Sequence, residues 1–164
     1  MKAFAIFRAL FFASLFVTLW WWLASLARGF DHALGGPLPV WLRAFAPELI
    51  GAGAVLAFLC VITFGLHGRG TPAPFDPPRE FVASGPYRFV RNPMYIGAAL
   101  TLAGAGLWLQ SPGILVLAAV GLMAAHLFVI SVEEPSLEKQ FGESYRAYKR
   151  SVRRWIPRRP TNSS

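Results

Sequence analysis

Cysteine is almost absent from this sequence. Cys60 is the only one, and it sits inside an apolar run. No intramolecular disulfide can form, and Cys60 reads as a small packing residue. Acidic side chains are also few, 8 against 16 Lys and Arg, and all of them fall in loops or at the ends of apolar runs. A proton or ion relay would need such groups near the bilayer midplane, so their placement argues against one. Histidine is limited to His32, His67 and His126, too scattered for a ligand cluster, and no metal is expected. No Gly-x-Gly-x-x-Gly element follows a strand-like run, which removes the usual sign of a dinucleotide fold.

Apolar residues are plentiful, 55% of the 164-residue chain. They gather into four runs, about 3–27, 47–66, 94–109 and 113–132. Runs near 20 residues predict an all-α, polytopic membrane protein with four transmembrane helices. The first run is longer than a signal-peptide core and carries Trp20, Trp21 and Trp22 as an interfacial belt, so it reads as a retained helix. Charge sets the orientation. Of the 16 cations, only Arg28 and Arg43 fall on the side reached by the first loop. The others, including Arg69, Arg79, Arg88 and the basic tail, lie opposite. The positive-inside rule therefore places both termini in the cytoplasm and explains the net charge of +8 without nucleic acid.

The first loop, with His32, offers no chemistry. The second, "HGRGTPAPFDPPREFVASGPYRFVRNP", is too rich in proline for a helix. "QSPG" joins the third and fourth runs as a tight antiparallel hairpin. Beyond it, Leu137, Phe141, Tyr145, Tyr148 and Val152 make one apolar stripe, with Arg146, Lys149, Arg150 and Arg153 on other faces. That pattern predicts a C-terminal amphipathic helix at the cytoplasmic interface, with Gly142 as a point where it can break. Residues 158–164 read as a disordered tail.

One stretch is denser in chemistry than an anchor requires: "GPYRFVRNPMYIG", Gly85 to Gly97. Asn92 followed by Pro93 is a helix start, with Asn92 as the capping side chain and Pro93 in the first turn. A helix N-terminus with Arg91 beside it suits a carboxylate or phosphate. Tyr95 lies in the first turn, and Gly97 removes a side chain above it. Gly85, Pro86 and Tyr87 form a turn that can bring the chain back over the same place. The plainer reading of these residues is a cap, a belt aromatic and snorkelling arginines.

The hairpin returns Glu133 and Glu134 to the level of Pro93, and Pro135 is expected to interrupt the helix there. Two adjacent carboxylates at a membrane border call for partners. His126 precedes Glu133 by two helical turns and is expected on the same face, either as a site residue or hydrogen-bonded to backbone. The set amounts to an anion site, carboxylates for a cation, and aromatic faces.

"GPYRFVRNPMYIG", a hairpin, and then "EEPSLEKQFGESYRAYKRSVRRWIP" resemble the isoprenylcysteine carboxyl methyltransferase and phospholipid methyltransferase group of integral-membrane enzymes. That group's signature is Arg-His-Pro-x-Tyr-x-Gly followed one hairpin later by Glu-Glu. The resemblance implies a methyltransferase-like core over 67–157, preceded by two N-terminal transmembrane helices over 1–66. It implies S-adenosylmethionine as cofactor, held by Gly85, Pro86, Tyr87, Arg91, Asn92, Pro93, Tyr95, Gly97, Glu133 and Glu134. Its partners would be the bilayer and a hydrophobic or lipid-like acceptor, in the cytoplasmic membrane of a bacterium with the site facing inward. Asn92 stands where the family has histidine, and "HLFVISV" before the glutamates lacks the cation of the prenylcysteine enzymes. A prenylcysteine carboxylate is thereby disfavoured as acceptor. Glu134 and His126 are the candidate bases for an amine or phenol acceptor. The alternative is a small four-helix transporter without methyltransferase activity.

The charge asymmetry makes a topological prediction. In a Cys60→Ser background, a cysteine introduced by Gly36→Cys should react with an impermeant maleimide on intact cells. One introduced by Ser164→Cys should react only after the inner face is opened. Equal labelling would reject the assigned orientation.

Overall fold

The computed structural model describes residues 2–67 and 83–157. The proline-rich loop with Arg69 and Arg79, and the tail 158–164 read above as disordered, lie outside these. The described residues are helices and turns: α1 Lys2–Arg28, a 3-10 turn Val40–Phe45, α2 Ala46–His67, a 3-10 turn Gly85–Arg88 and α3 Pro93–Trp108. Then come α4 Pro112–Phe128, a π-helical turn Val129–Glu133, α5 Glu134–Phe141 and α6 Glu143–Ser151. Two stretches are long and apolar enough to cross a membrane, Val40–Thr63 and Pro112–Phe141, and α3 is a shorter apolar helix.

The long helices stand in a row, α2 beside α3, α3 beside α4, and α4 beside α1. Each neighbour is antiparallel. Along α2, Ile50 faces Gly104 and Ala57 faces Gly97 of α3, Gly106 of α3 meets Leu115 of α4, and Trp20 of α1 meets Gly121 of α4. Small residues permit the closest approach. A side chain on Gly97 would stand 2.8 Å from the Gly53 carbonyl oxygen and 3.1 Å from the Ala57 nitrogen. Helices in lipid gain stability through such van der Waals contact, since apolar burial between them is no better than burial in lipid. Exposed apolar side chains such as Trp21, Phe58, Val120 and Met123 cover the outer faces. A surface of that kind fits lipid.

The first loop does contribute to the fold. Asp31 accepts hydrogen bonds from Ser111 Oγ at 2.7 Å and Gly113 N at 2.8 Å. Ser111 Oγ in turn accepts from Ile114 N at 3.2 Å. A carboxylate and a hydroxyl thus cap the start of α4 and tie α1 to it, with the helix dipole favouring the negative charge.

Two expectations need correction. Pro135 does not interrupt the fourth helix, which continues from Pro112 to Phe141. The π-turn just before it lets the Glu134 N–H reach the Val129 carbonyl. Widening the turn makes room for a residue that has no N–H and would clash with the preceding turn of an α-helix. The amphipathic helix, in turn, is two short helices. The chain reverses at Gly142, where φ is 54°. Leu137 and Phe141 then pack on Tyr145, Tyr148 and Val152. The apolar stripe thus supplies the core between α5 and α6.

Gly97→Val should force α2 and α3 apart and cost about 1–3 kcal/mol, the usual penalty for overpacking. Reversible unfolding in detergent measures it. An unchanged midpoint would show that the close crossing is not needed.

Candidate active site

At one end of the row, the C-terminus of α2, the N-terminus of α3 and the π-turn after α4 come together. The turn Gly85–Arg88 crosses this end. Gly85 has φ 55°, and a side chain there would drive into the Thr63 hydroxyl of α2. Tyr87 is buried against Cys60 and Met94. Its carbonyl accepts a 2.6 Å hydrogen bond from the Tyr148 hydroxyl, so α6 is pinned to this turn.

After α6 the chain becomes extended at Val152 and runs as a strap over the start of α3. Arg91 N donates to the Arg153 carbonyl at 2.9 Å. Asn92 is buried, and its Nδ2 donates to the Arg154 carbonyl at 3.3 Å. Asn92 therefore occupies the cap position without capping. Its amide is turned sideways to hold the strap, and the first turn of α3 receives no side-chain acceptor from it. Pro93 is fully buried, and Gly97 faces α2 rather than the glutamates.

The two glutamates diverge. Glu134 is buried and surrounded by cations. Arg154 forks onto it, Nε to Oε1 at 2.7 Å and Nη2 to Oε2 at 2.9 Å. Arg91 Nη2 lies 3.3 Å from Oε1, and Lys149 Nζ lies 3.9 Å from Oε2. Both carboxylate oxygens thus accept from Arg154, and two further cations stand within 4 Å. The hydrogen bond to Glu134 holds the Arg154 guanidinium above its ordinary pKa. Glu133 is only half-buried and accepts a 3.1 Å hydrogen bond from the Tyr95 hydroxyl. Among the described residues no cation pairs with it.

Arg91 is the counterpart of Glu133. Its side chain is 10% exposed, and Nε and Nη1 are buried with no hydrogen-bond partner. The Ser84 hydroxyl is orphaned in the same way. His126 does not share a face with Glu133 in simple α-helical register, because the π-turn lies between them. Its Nδ1 accepts a 3.0 Å hydrogen bond from Trp155 Nε1. The Trp155 ring stands edge-on to Tyr95 with centroids 6.4 Å apart, so His126 reaches the Tyr95–Glu133 pair through the strap.

Sequence reasoning missed Arg154, Trp155 and Lys149 as parts of this end. A tryptophan preceded by two arginines, with a proline two residues on and just past a helix, was the available signal. A cleft of about 380 Å³ opens beside Glu134, between Ile130 and Pro135 and the charged side chains of Glu138, Arg146 and Lys149. A larger cavity of about 570 Å³ lies at the opposite end, around Arg28, Asp31, His32 and Gln110. None of the candidate cofactor-binding residues lines it.

Residues 41–144 match the family profile for phospholipid methyltransferase. The match takes in α2 as well as the hairpin. An uncharacterized protein of Haemophilus influenzae is 36% identical over 63 residues, which is 100% of that protein and 38% of this chain. The chain belongs to the phospholipid methyltransferase family. Members of that family are S-adenosylmethionine-dependent methyltransferases, and this protein is an enzyme of that class, integral to a membrane.

The tyrosines around the strap set an alkaline limit on the fold. Burial, followed by the nearby Glu134 carboxylate, pushes Tyr145 up from 10.0 to about 12. Burial raises Tyr87 and Tyr148 further. The unfolded chain then loses these protons at lower pH than the folded one, so stability is level below about pH 10 and falls as pH climbs toward 12. Thermal unfolding in detergent across that range should show the fall, and Tyr145→Phe with Tyr148→Phe should make it shallower, Tyr87 supplying the remainder.

Proposed function

We propose that this end of the molecule binds S-adenosylmethionine and methylates a hydrophobic or lipid-like acceptor at the cytoplasmic face of a four-span membrane protein. The observation that carries the reading is a pairing of opposites at one site. Arg91 has two buried nitrogens, Nε and Nη1, without an acceptor, and Glu133 is a carboxylate without a cation among the described residues. A ligand bearing a carboxylate and cationic groups satisfies both. Arg91 and the N-terminus of α3 would hold the carboxylate, and Glu133 with the rings of Tyr95 and Trp155 would hold the cationic part. The orphaned atoms make these residues a fit for the cofactor. When bound, it supplies a methyl group on a sulfonium, an electrophile open to in-line displacement.

The chain's own contribution is orientation and, where the acceptor carries a proton, its removal. We assign that proton to Glu133. Glu134 is a weak choice as base because Arg154 hydrogen-bonds both of its oxygens, and the charges of Arg91 and Lys149 beside it favour the bare carboxylate. His126 is no better in this arrangement. The indole N–H of Trp155 can only donate, so Nδ1 is the acceptor and the neutral ring carries its proton on Nε2. A carboxylate or thiolate acceptor would need no base. Exposed Arg88, Lys139, Arg150 and Arg153 around this end support its facing the cytoplasm. The apolar outer faces of a one-layer row would let a lipid-like acceptor approach sideways, between helices.

Titration calorimetry with S-adenosylmethionine on the protein in nanodiscs tests the reading. Saturable binding is expected, weakened about tenfold or more by Glu133→Gln and by Arg91→Gln, as for loss of a charge-assisted contact. At about 100 times the dissociation constant the ligand should add about 2.7 kcal/mol of apparent stability. Absence of binding by folded wild-type protein at millimolar ligand would overturn the assignment.

A further inference from the structure

We propose that Arg154 is a positioning residue whose task is to keep Arg91 open for the ligand's carboxylate. The proposal rests on the cofactor reading given above. Two guanidinium groups compete for one buried carboxylate, that of Glu134. Arg154 wins with two contacts, at 2.7 and 2.9 Å, while Arg91 approaches the same Oε1 only through Nη2 at 3.3 Å. Bidentate pairing is the preferred geometry for an arginine and a carboxylate. Arg91 would adopt it if the place were free. Because it is not, Nε and Nη1 of Arg91 stay buried and unpartnered beside the start of a 16-residue helix.

The backbone holds this competition in register. Arg91 N donates to the Arg153 carbonyl at 2.9 Å, and Asn92 Nδ2 donates to the Arg154 carbonyl at 3.3 Å. The strap therefore delivers the Arg154 side chain at a fixed distance from Arg91. Remove the Arg154 fork, and Glu134 becomes an internal rival for the donors that the ligand needs. An uncompensated carboxylate in a poorly solvated place captures whichever guanidinium remains.

Two probes separate this role from a general structural one. S-adenosylhomocysteine carries the amino-acid carboxylate, and 5′-methylthioadenosine shares the nucleoside thioether but lacks it. Calorimetry in nanodiscs should find Arg154→Gln weaker for S-adenosylhomocysteine by about tenfold or more, the scale of one charge-assisted hydrogen bond. Binding of 5′-methylthioadenosine should be unchanged. Adding Glu134→Gln to Arg154→Gln removes the rival and should restore most of the lost affinity, and Arg154→Lys, with a single point of contact, should fall between.

Equal loss for both probes, no loss for either, or a double variant weaker than Arg154→Gln would each overturn the positioning role and leave the cofactor assignment standing. If Arg154→Gln does not fold, Arg154→Lys and the double variant decide the matter by the same ratio of the two probes. Wild-type protein that binds neither probe would overturn the cofactor assignment, and this proposal with it.

Discussion

The constraint on which this end of the molecule depends is one buried negative charge, Glu134, at the border of an apolar helix. Leaving it unpaired would be costly in so poorly solvated a place, so three separate segments bring cations to it. Arg91 comes from just before α3, Lys149 from α6, and Arg154 from the strap. Of these segments α6 also has an apolar core of its own, shared with α5. The carboxylate gives them a common point, and the hydrogen bonds of Asn92, Arg91 and Tyr148 to neighbouring carbonyls complete the arrangement.

Neutralising Glu134 within the chain divides the labour of an acidic pair that looks symmetric in the sequence. Glu134 organises, and Glu133 accepts a hydrogen bond from the Tyr95 hydroxyl with no cation beside it among the described residues. Replacement of the family histidine by Asn92 is intelligible in the same terms. An amide can donate to the Arg154 carbonyl from a buried position without ever carrying a charge.

Much of this was legible in the sequence, and the reasons differ by element. Apolar runs marked the long helices, because length and composition alone decide what can cross a bilayer. Asn92-Pro93 marked the start of α3, since proline suits only the first turn. The Gly97 crossing was half visible. A small residue was evident, but its neighbour across the gap, α2, belongs to a distant part of the chain. Local rules failed where tertiary demands won. Pro135 predicts a stop by its own chemistry, yet the preceding turn widened to accommodate it. Asn92 prefers to cap, yet the strap offered a better partner. Arg154 could not be told from the other arginines of the tail, because periodicity carries no information about which cation a carboxylate will choose. Nor could an apolar stripe reveal whether its partner was lipid or its own other half.

The widened turn Val129–Glu133 also acts as a phase shifter. In an α-helix each residue advances the direction of its side chain by about 100°. One extra residue in a turn therefore rotates everything after it relative to everything before. Here the part before is the membrane helix bearing His126, and the part after carries Glu134 and the α5–α6 hairpin. A family member with one residue fewer in this turn would present a different carboxylate toward Tyr95, even with the same Glu-Glu pair in its sequence. The spacing between His126 and the acidic pair therefore decides which way each of these side chains points.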